Sequence, residues 1–284
     1  MNVLSLFNGM STGHTALDNV GIKVDKYYSS EIKPHAIELT QHHYPDTIQV
    51  GDVTKWEDWD IDYSTIDMVL SGSPCQDLSA AGKRAGLYGS RSSLFFVFVD
   101  ILNHIKELNP DVLFLQENVG SASRGDVGIM SRELGVYPVR INSSLVTAQL
   151  RDRYYWSNIR TKPDGLFGDV VTDIPQPQDR KIILKDILTS GVVESLKHCC
   201  LKTAKGASTQ EKIRYRNSTT GMLTVIAEGS DVRLCNRLEM CRLQGFPDDW
   251  CDILTEVHTH DVLGDGWTLP IIEHIFSFID KDKF

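Results

Sequence analysis

The sequence predicts an α/β fold built on a doubly wound, mostly parallel sheet. Three observations carry the prediction. Short apolar runs alternate with stretches of helical pattern over the first half of the chain. The first run ends in a glycine-containing turn that opens a helix, and acidic residues stand at the ends of later runs.

Residues 3–7 form an apolar strand, and Asn8-Gly9-Met10-Ser11-Thr12-Gly13 turns the chain into a helix over 14–20. Strand, glycine turn and helix start make a cradle for a nucleotide-like ligand, because glycine lets backbone approach closely and free amides face outward. A second strand over 26–30 ends at Glu31, placed to accept hydrogen bonds from ribose hydroxyls. Pro34 opens a helix through 42, and a short third strand over 48–50 ends at Gly51-Asp52-Val53, where Asp52 is placed to meet an adenine amino group. The fourth strand, 66–70, runs into Ser71-Gly72-Ser73-Pro74-Cys75-Gln76. Pro74 fixes its own φ and biases Ser73 toward an extended shape, so the Cys75 thiol leaves the strand end in a defined direction. A lone free cysteine in a turn is ordinarily a packing residue; its neighbours decide otherwise here.

The loop after Cys75 is rich in glycine and carries Lys83, Arg84 and Arg91, which suits a lid over a polyanion. A helix over 92–108 presents Leu94, Phe95, Phe98, Ile101, Leu102 and Ile105 on one face. The fifth strand, 111–115, leads to Gln116-Glu117-Asn118-Val119, placing a second candidate group, Glu117, at the edge that carries Cys75. A helix over 128–134 follows, then strands over 137–141 and 154–159 that can pair as a hairpin. Between them Arg151 and Arg153, two apart, fall on one side of an extended segment. Prolines 163, 175 and 177 mark a linker or domain edge. Later come a helix over 234–243, a turn over 263–267 and a final amphipathic helix over 270–279. The divisions expected are 1–161, 162–233 and a return over 234–284.

The chain has 284 residues, 41% hydrophobic and 24% charged, and can bury a full core. No stretch approaches the ~18 apolar residues of a membrane span, and no basic leader precedes the first strand. Its six cysteines lack CxxC spacing, so reduced thiols and no metal site are expected, His198-Cys199-Cys200 included. A net charge of −9 is unlike a generic nucleic-acid binder. Within it lies a basic segment with Lys197, Lys202, Lys205, Lys212, Arg214 and Arg216 against Glu211, a candidate phosphate-contacting surface.

In this order the pieces resemble the cytosine-5 DNA methyltransferases over nearly the full length. The residues 7–13 turn is similar to that family's cofactor motif, Ser73-Pro74-Cys75-Gln76 to its catalytic loop and Glu117-Asn118-Val119 to its catalytic Glu-Asn-Val. Gln149, Arg151 and Arg153 fit Gln-x-Arg-x-Arg, and Glu239 through Pro247 resembles the segment supporting target recognition. Gly264 through Pro270 resembles the last motif, with Asp265 where many members have Asn. Trp267, Leu94-Phe95-Phe96 and a short recognition region are closest in style to the compact de novo type.

The resemblance implies the class I S-adenosylmethionine methyltransferase fold with a small target-recognition region over 162–233. It implies S-adenosylmethionine, giving S-adenosylhomocysteine, held by Phe7, Gly9, Met10, Thr12, Glu31, Asp52, Val53, Ser73, Leu94, Asp265 and Trp267. Cys75, Glu117, Arg151 and Arg153 are the implied catalytic residues. A thiolate adding to carbon 6 of cytosine builds electron density at ring nitrogen 3, which a Glu117 kept protonated by a low-dielectric pocket would meet. The base must leave the duplex, and Gln76, Ser79, Lys83, Arg84 and Arg91, with Lys202, Lys205, Arg214 and Arg216, are the implied contacts to double-stranded DNA. A cytoplasmic setting in a bacterial or phage-infected cell, within restriction-modification or its evasion, is expected; pairing as a homodimer stays open. The competing readings are a transfer-RNA cytosine methyltransferase, whose Cys-Phe-Thr signature the chain lacks, a non-catalytic DNA-binding homologue, and an enzyme using a related cofactor with a larger group.

Overall fold

Parallel pairing around one central strand organises the computed structural model, which describes residues 1–74, 94–165, 168–202 and 224–284. The central strand is β1 (Asn2–Leu6). It pairs in parallel with β2 (Lys26–Ser30) on one flank and with β4 (Met68–Ser71) on the other. β3 (Ile48–Gln49) extends the first flank, and β5 (Leu113–Val119) extends the second. β7 (Asp152–Ser157) then joins β5 antiparallel, with β6 (Val139–Asn142) outermost, giving the order β3-β2-β1-β4-β5-β7-β6. The chain thus winds outward from β1 and returns to its other side. Ligands bind at the carboxyl edge beside such a reversal. The doubly wound sheet expected from the sequence is the one observed.

The strands read as continuous apolar runs because Val3, Leu4, Leu6, Met68, Val69 and Leu70 are buried, as covered parallel sheets require. One covering element is α3 (Leu94–Leu108), whose Phe95, Phe98, Ile101, Leu102 and Ile105 pack with Leu4, Leu6, Val69, Phe114 and Trp156. α1 (Thr12–Asn19) starts two residues earlier than expected, with Ser11 in the left-handed region at φ 58°. α2 (Pro34–His43) starts at its proline. α4 (Arg124–Leu134) starts four residues before the expected helix because the Ser123 hydroxyl accepts from Asp126 N at 3.1 Å.

The chain divides into two units. The first comprises Met1–Ile141, Asp152–Gln176 and Glu273–Phe284; the second comprises Asn142–Arg151 and Pro177–Ile272. The stretch read as a proline-marked linker holds a hairpin of the first unit, β8 (Thr161–Asp164) with β9 (Asp169–Thr172). Pro163 is tolerated because the ribbon is short and β8 is exposed throughout.

In the second unit are α5 (Leu184–Ile187), a ribbon of β10 (Ile226–Glu228) and β11 (Asp231–Arg233), and α6 (Arg237–Gln244). Asn236 and Glu239 form a capping box on α6, and the buried Glu239 carboxylate also receives the Arg233 guanidinium, at 2.6 and 2.8 Å. The turn expected over 263–267 is instead the end of α7 (Glu256–Asp265), and α8 (Leu269–Phe276) closes the order.

Candidate active site

The turn after β1 is held in left-handed backbone, with Phe7 at φ 56° and Gly9 at φ 58°. Gly13 permits the close approach that follows: a Cβ there would meet Leu70 Cδ1 at 2.4 Å. Asn8 fixes the turn from inside. Its amide donates to Ser11 Oγ at 2.8 Å and Thr40 Oγ1 at 3.3 Å, and its carbonyl accepts from Tyr27 OH at 3.1 Å. His14, in the first turn of α1, is stacked between Tyr27 and Tyr44 at centroid distances of 4.4 and 3.8 Å. Burial lowers its pKa to about 4.

Glu31 is locked to this turn. Gly9 N donates to Oε2 at 2.8 Å, while Ile32 N and Lys33 N donate to Oε1 at 2.8 and 3.0 Å. A carboxylate fixed by three amides at the end of β2 retains lone pairs for a diol. Ile32, 70% exposed beside it, offers an apolar face for a flat ring and was not singled out from the sequence. An apolar residue directly after the strand-end acid was the available signal.

Asp52 caps the short helix beyond β3, accepting from Thr54 N and Thr54 Oγ1, each at 2.9 Å, and the Thr54 amide holds its carboxyl below the usual range. Met10, Thr12 and Val53 are buried, so a ligand at this edge would meet them through backbone. Phe7 and Leu94 are partly buried against the core.

At the neighbouring strand ends, Ser71 of β4 stands opposite Gln116 of β5, so residues 72–74 follow beside Glu117. Ser73 is buried and its Oγ accepts from Gln116 Nε2 at 2.9 Å and Asn118 Nδ2 at 3.3 Å. Those bonds use its acceptor capacity as an internal bracket and leave its O–H as a donor. Cys75, Gln76, Ser79, Lys83, Arg84, Arg91, Lys205, Arg214 and Arg216 lie outside the described residues. Lys202 is described and exposed.

Antiparallel pairing of β5 with β7 sets Val119 opposite Arg153, and Arg153 Nε lies 2.7 Å from Glu117 Oε1. Glu117 is only 8% exposed. The carboxyl expected to meet ring nitrogen 3 thus has a guanidinium beside it, because β7 delivers Arg153 to it.

Arg151 goes elsewhere. It belongs to the second unit, is buried, and donates to Gly264 O at 3.1 Å, Gly266 O at 2.8 Å and Cys200 Sγ at 3.3 Å. It fastens the C-terminus of α7, where orphan carbonyls gather. Gln149 is buried in the same unit, donating to Leu243 O at 3.2 Å and accepting from Leu201 N at 2.8 Å. Asp265 ends α7, and Trp267 follows in the same unit. Among the described residues no group of three or more His, Cys, Asp or Glu could hold a metal, and no helix is long and apolar enough to cross a membrane.

Comparison with known proteins matches residues 1–203 to the C-5 cytosine-specific DNA methylase family. The chain is 38% identical over 211 residues to the Type II methyltransferase M.NgoBV of Neisseria gonorrhoeae, covering 66% of this chain and 46% of that protein. The chain therefore spans about half the length of that curated relative. Among solved structures it is similar to the Entamoeba histolytica methyltransferase EhMeth, with a TM-score of 0.69 at 14% identity over 100% of this chain and 99% of that one. It is also similar to a putative DNA modification methyltransferase encoded within an Escherichia coli prophage, with a TM-score of 0.60 at 19% identity over 98% of both chains. At those identities the structures speak for the fold alone.

Proposed function

The chain belongs to the C-5 cytosine-specific DNA methylase family, and from that premise we propose that it methylates carbon 5 of cytosine in double-stranded DNA. The observation that carries the proposal is the Glu117–Arg153 pair at the end of β5, beside the segment that leads into Cys75. It stands at the carboxyl edge that also bears the glycine turn and Glu31.

That edge fits an adenosine-bearing cofactor. Gly9 leaves room for close backbone approach, Glu31 is preset for ribose hydroxyls, and exposed Ile32 suits an adenine face. S-adenosylmethionine, when bound there, supplies an electrophilic methyl group. Asp52 keeps one carboxylate oxygen beyond its cap for the adenine amine. Asp265 and Trp267 are proposed only from the family motif.

Cys75, as the thiolate, attacks carbon 6 of an extruded cytosine and makes carbon 5 nucleophilic. Glu117 holds the ring at nitrogen 3 and the exocyclic amine as electron density builds there. Arg153, already on Glu117, is the arginine placed to turn to the ring carbonyl oxygen; Arg151 supports the second unit instead. Transfer of the carbon 5 proton to water then re-forms the ring double bond and expels the sulfur as thiolate. The β8–β9 hairpin falls in the first unit, so we place the recognition region after it, from residue 177 to residue 233. The setting proposed is the cytoplasm of a bacterial or phage-infected cell.

The test is product analysis of duplex DNA and transfer RNA incubated with the full chain and labelled S-adenosylmethionine. We expect 5-methylcytosine in DNA, and a denaturant-resistant adduct with 5-fluorocytosine duplex. Cys75→Ala should abolish both while retaining S-adenosylhomocysteine binding. Methylation by Cys75→Ala would refute the nucleophile, and label confined to transfer RNA would refute the substrate.

A further inference from the structure

Gln116 departs from the rule of the layer it occupies. It is fully buried on β5, in register with Ser71 on one side and Trp156 on the other, and two residues from buried Phe114. Leucine or methionine would fill such a place without polar atoms to satisfy. Among the described residues, the Gln116 Oε1 acceptor is buried without a partner, and so is the Ser71 hydroxyl opposite it in register. Leaving them so costs desolvation that stability alone does not recover. Local rules broken without gain in stability mark functional positions.

The amide nitrogen shows what the glutamine does. It donates to Ser73 Oγ at 2.9 Å and to the carbonyl oxygen of Glu117 at 2.7 Å. One NH₂ group therefore joins the backbone of the acid to a side chain two residues before Cys75. Asn118, on the same sheet face, donates to the same Ser73 Oγ at 3.3 Å and to Ser73 O at 3.5 Å.

We propose that Gln116 is a positioning residue that ties the Glu117 strand end to Ser73 and so sets the spacing from which nucleophile and acid reach one base. The inference rests on the reading of Cys75 and Glu117 given above. A pyrimidine ring holds carbon 6 and nitrogen 3 at a fixed separation, so the groups meeting them must come from strand ends held equally firmly. Backbone pairing of β4 with β5 stops at Ser71 and Gln116. Beyond that row the side chains of Gln116 and Asn118 continue the connection. Loosening it lowers the fraction of bound complexes in attacking geometry, which reduces kcat and leaves cofactor affinity alone.

The experiment uses the full chain with Gln116→Leu, Ser73→Ala and the double variant. It measures kcat and KM on duplex DNA, adduct formation with 5-fluorocytosine duplex, calorimetric binding of S-adenosylhomocysteine, and Tm. Gln116→Leu should lower kcat and the adduct rate by about 10- to 100-fold. S-adenosylhomocysteine affinity should stay within about twofold and Tm should not fall, as expected when kcat alone is lost. Ser73→Ala should move kcat the same way, and the double variant should be little worse than the poorer single, since both remove one bracket. A kcat for Gln116→Leu within about twofold of wild type overturns the proposal, as does a double variant whose losses multiply. If Gln116→Leu does not fold, Ser73→Ala decides by the same criteria. If wild type methylates and forms the adduct while the variants match it, this inference falls and the proposed function stands. If wild type does neither, both fall.

Discussion

Two arginines two residues apart meet different chemistry. Arg151 has no carboxylate among its bonds to Gly264 O, Gly266 O and Cys200, so its charge is spent on helix-end carbonyls. Arg151→Met should destabilise the protein by about 2–4 kcal/mol in denaturant unfolding, since buried acceptors lose their donor. Arg151→Lys should restore only part, because one ammonium cannot reproduce the planar fork that reaches both carbonyls. Arg153→Ala should instead cost activity, about 100-fold or more in kcat, by removing the cation that faces Glu117 and is proposed to meet the base. Equal stability losses with no difference in kcat would show that the roles are not divided this way. The Gln-x-Arg-x-Arg spacing was legible in the sequence, but the division between its arginines was not. An extended segment puts both on one side; here β7 begins only at Asp152, so Arg153 enters the sheet and Arg151 stays outside it. The partner of Glu117 was also beyond the sequence, because it lies across an antiparallel pairing set by the whole sheet.

At the level of elements, α1 carries a pH dependence of its own. His14 is neutral in its aromatic stack, with its pKa lowered to about 4 from the ordinary 6.5 by burial. The unfolded chain takes up this proton first as pH falls, so the contribution is full above about pH 6.5 and is lost down to about pH 4. The loss should be on the order of 2–3 kcal/mol. His14→Phe keeps an aromatic plane between Tyr27 and Tyr44 without a titrating group, and should flatten Tm against pH across that window. A profile as steep as wild type would place the acid sensitivity elsewhere. The elements of the first half were readable because strand, turn and helix signals are local there: Pro34 starts α2, and the glycine turn precedes α1. The end of α7 is hidden in the sequence because Gly264-Asp265-Gly266 is turn chemistry. Thr255 caps a helix that buries Val262 and Leu263 and so runs through the first glycine. The β8–β9 ribbon was hidden by Pro163, whose place in a pairing no local pattern announces.

For the molecule as a whole, the proposed function asks how a chain of net charge −9 would hold a polyanion. The basic segment after residue 195 is the proposed answer, but one of its lysines does not contribute. Lys197 Nζ donates to the carbonyls of Ser144, Thr147 and Ile182 at 2.6, 2.9 and 2.5 Å, so it braces the interior of the second unit. Lys202, Lys205, Arg214 and Arg216 remain the proposed phosphate contacts. Each contact releases condensed counterions, and the slope of log affinity against log salt counts them at about 0.9 per phosphate. Neutralising the four to glutamine should therefore weaken duplex binding most at low salt and shorten that slope by about 3 to 4. Fluorescence anisotropy over a sodium chloride series reads both quantities. Lys197→Met is the informative control, because it removes the same charge from the same stretch of sequence. It should lower Tm and leave the slope unchanged. A slope indifferent to the four substitutions would move the DNA surface away from this segment, and one that also fell with Lys197→Met would mean that diffuse charge, rather than contact with phosphates, sets the affinity.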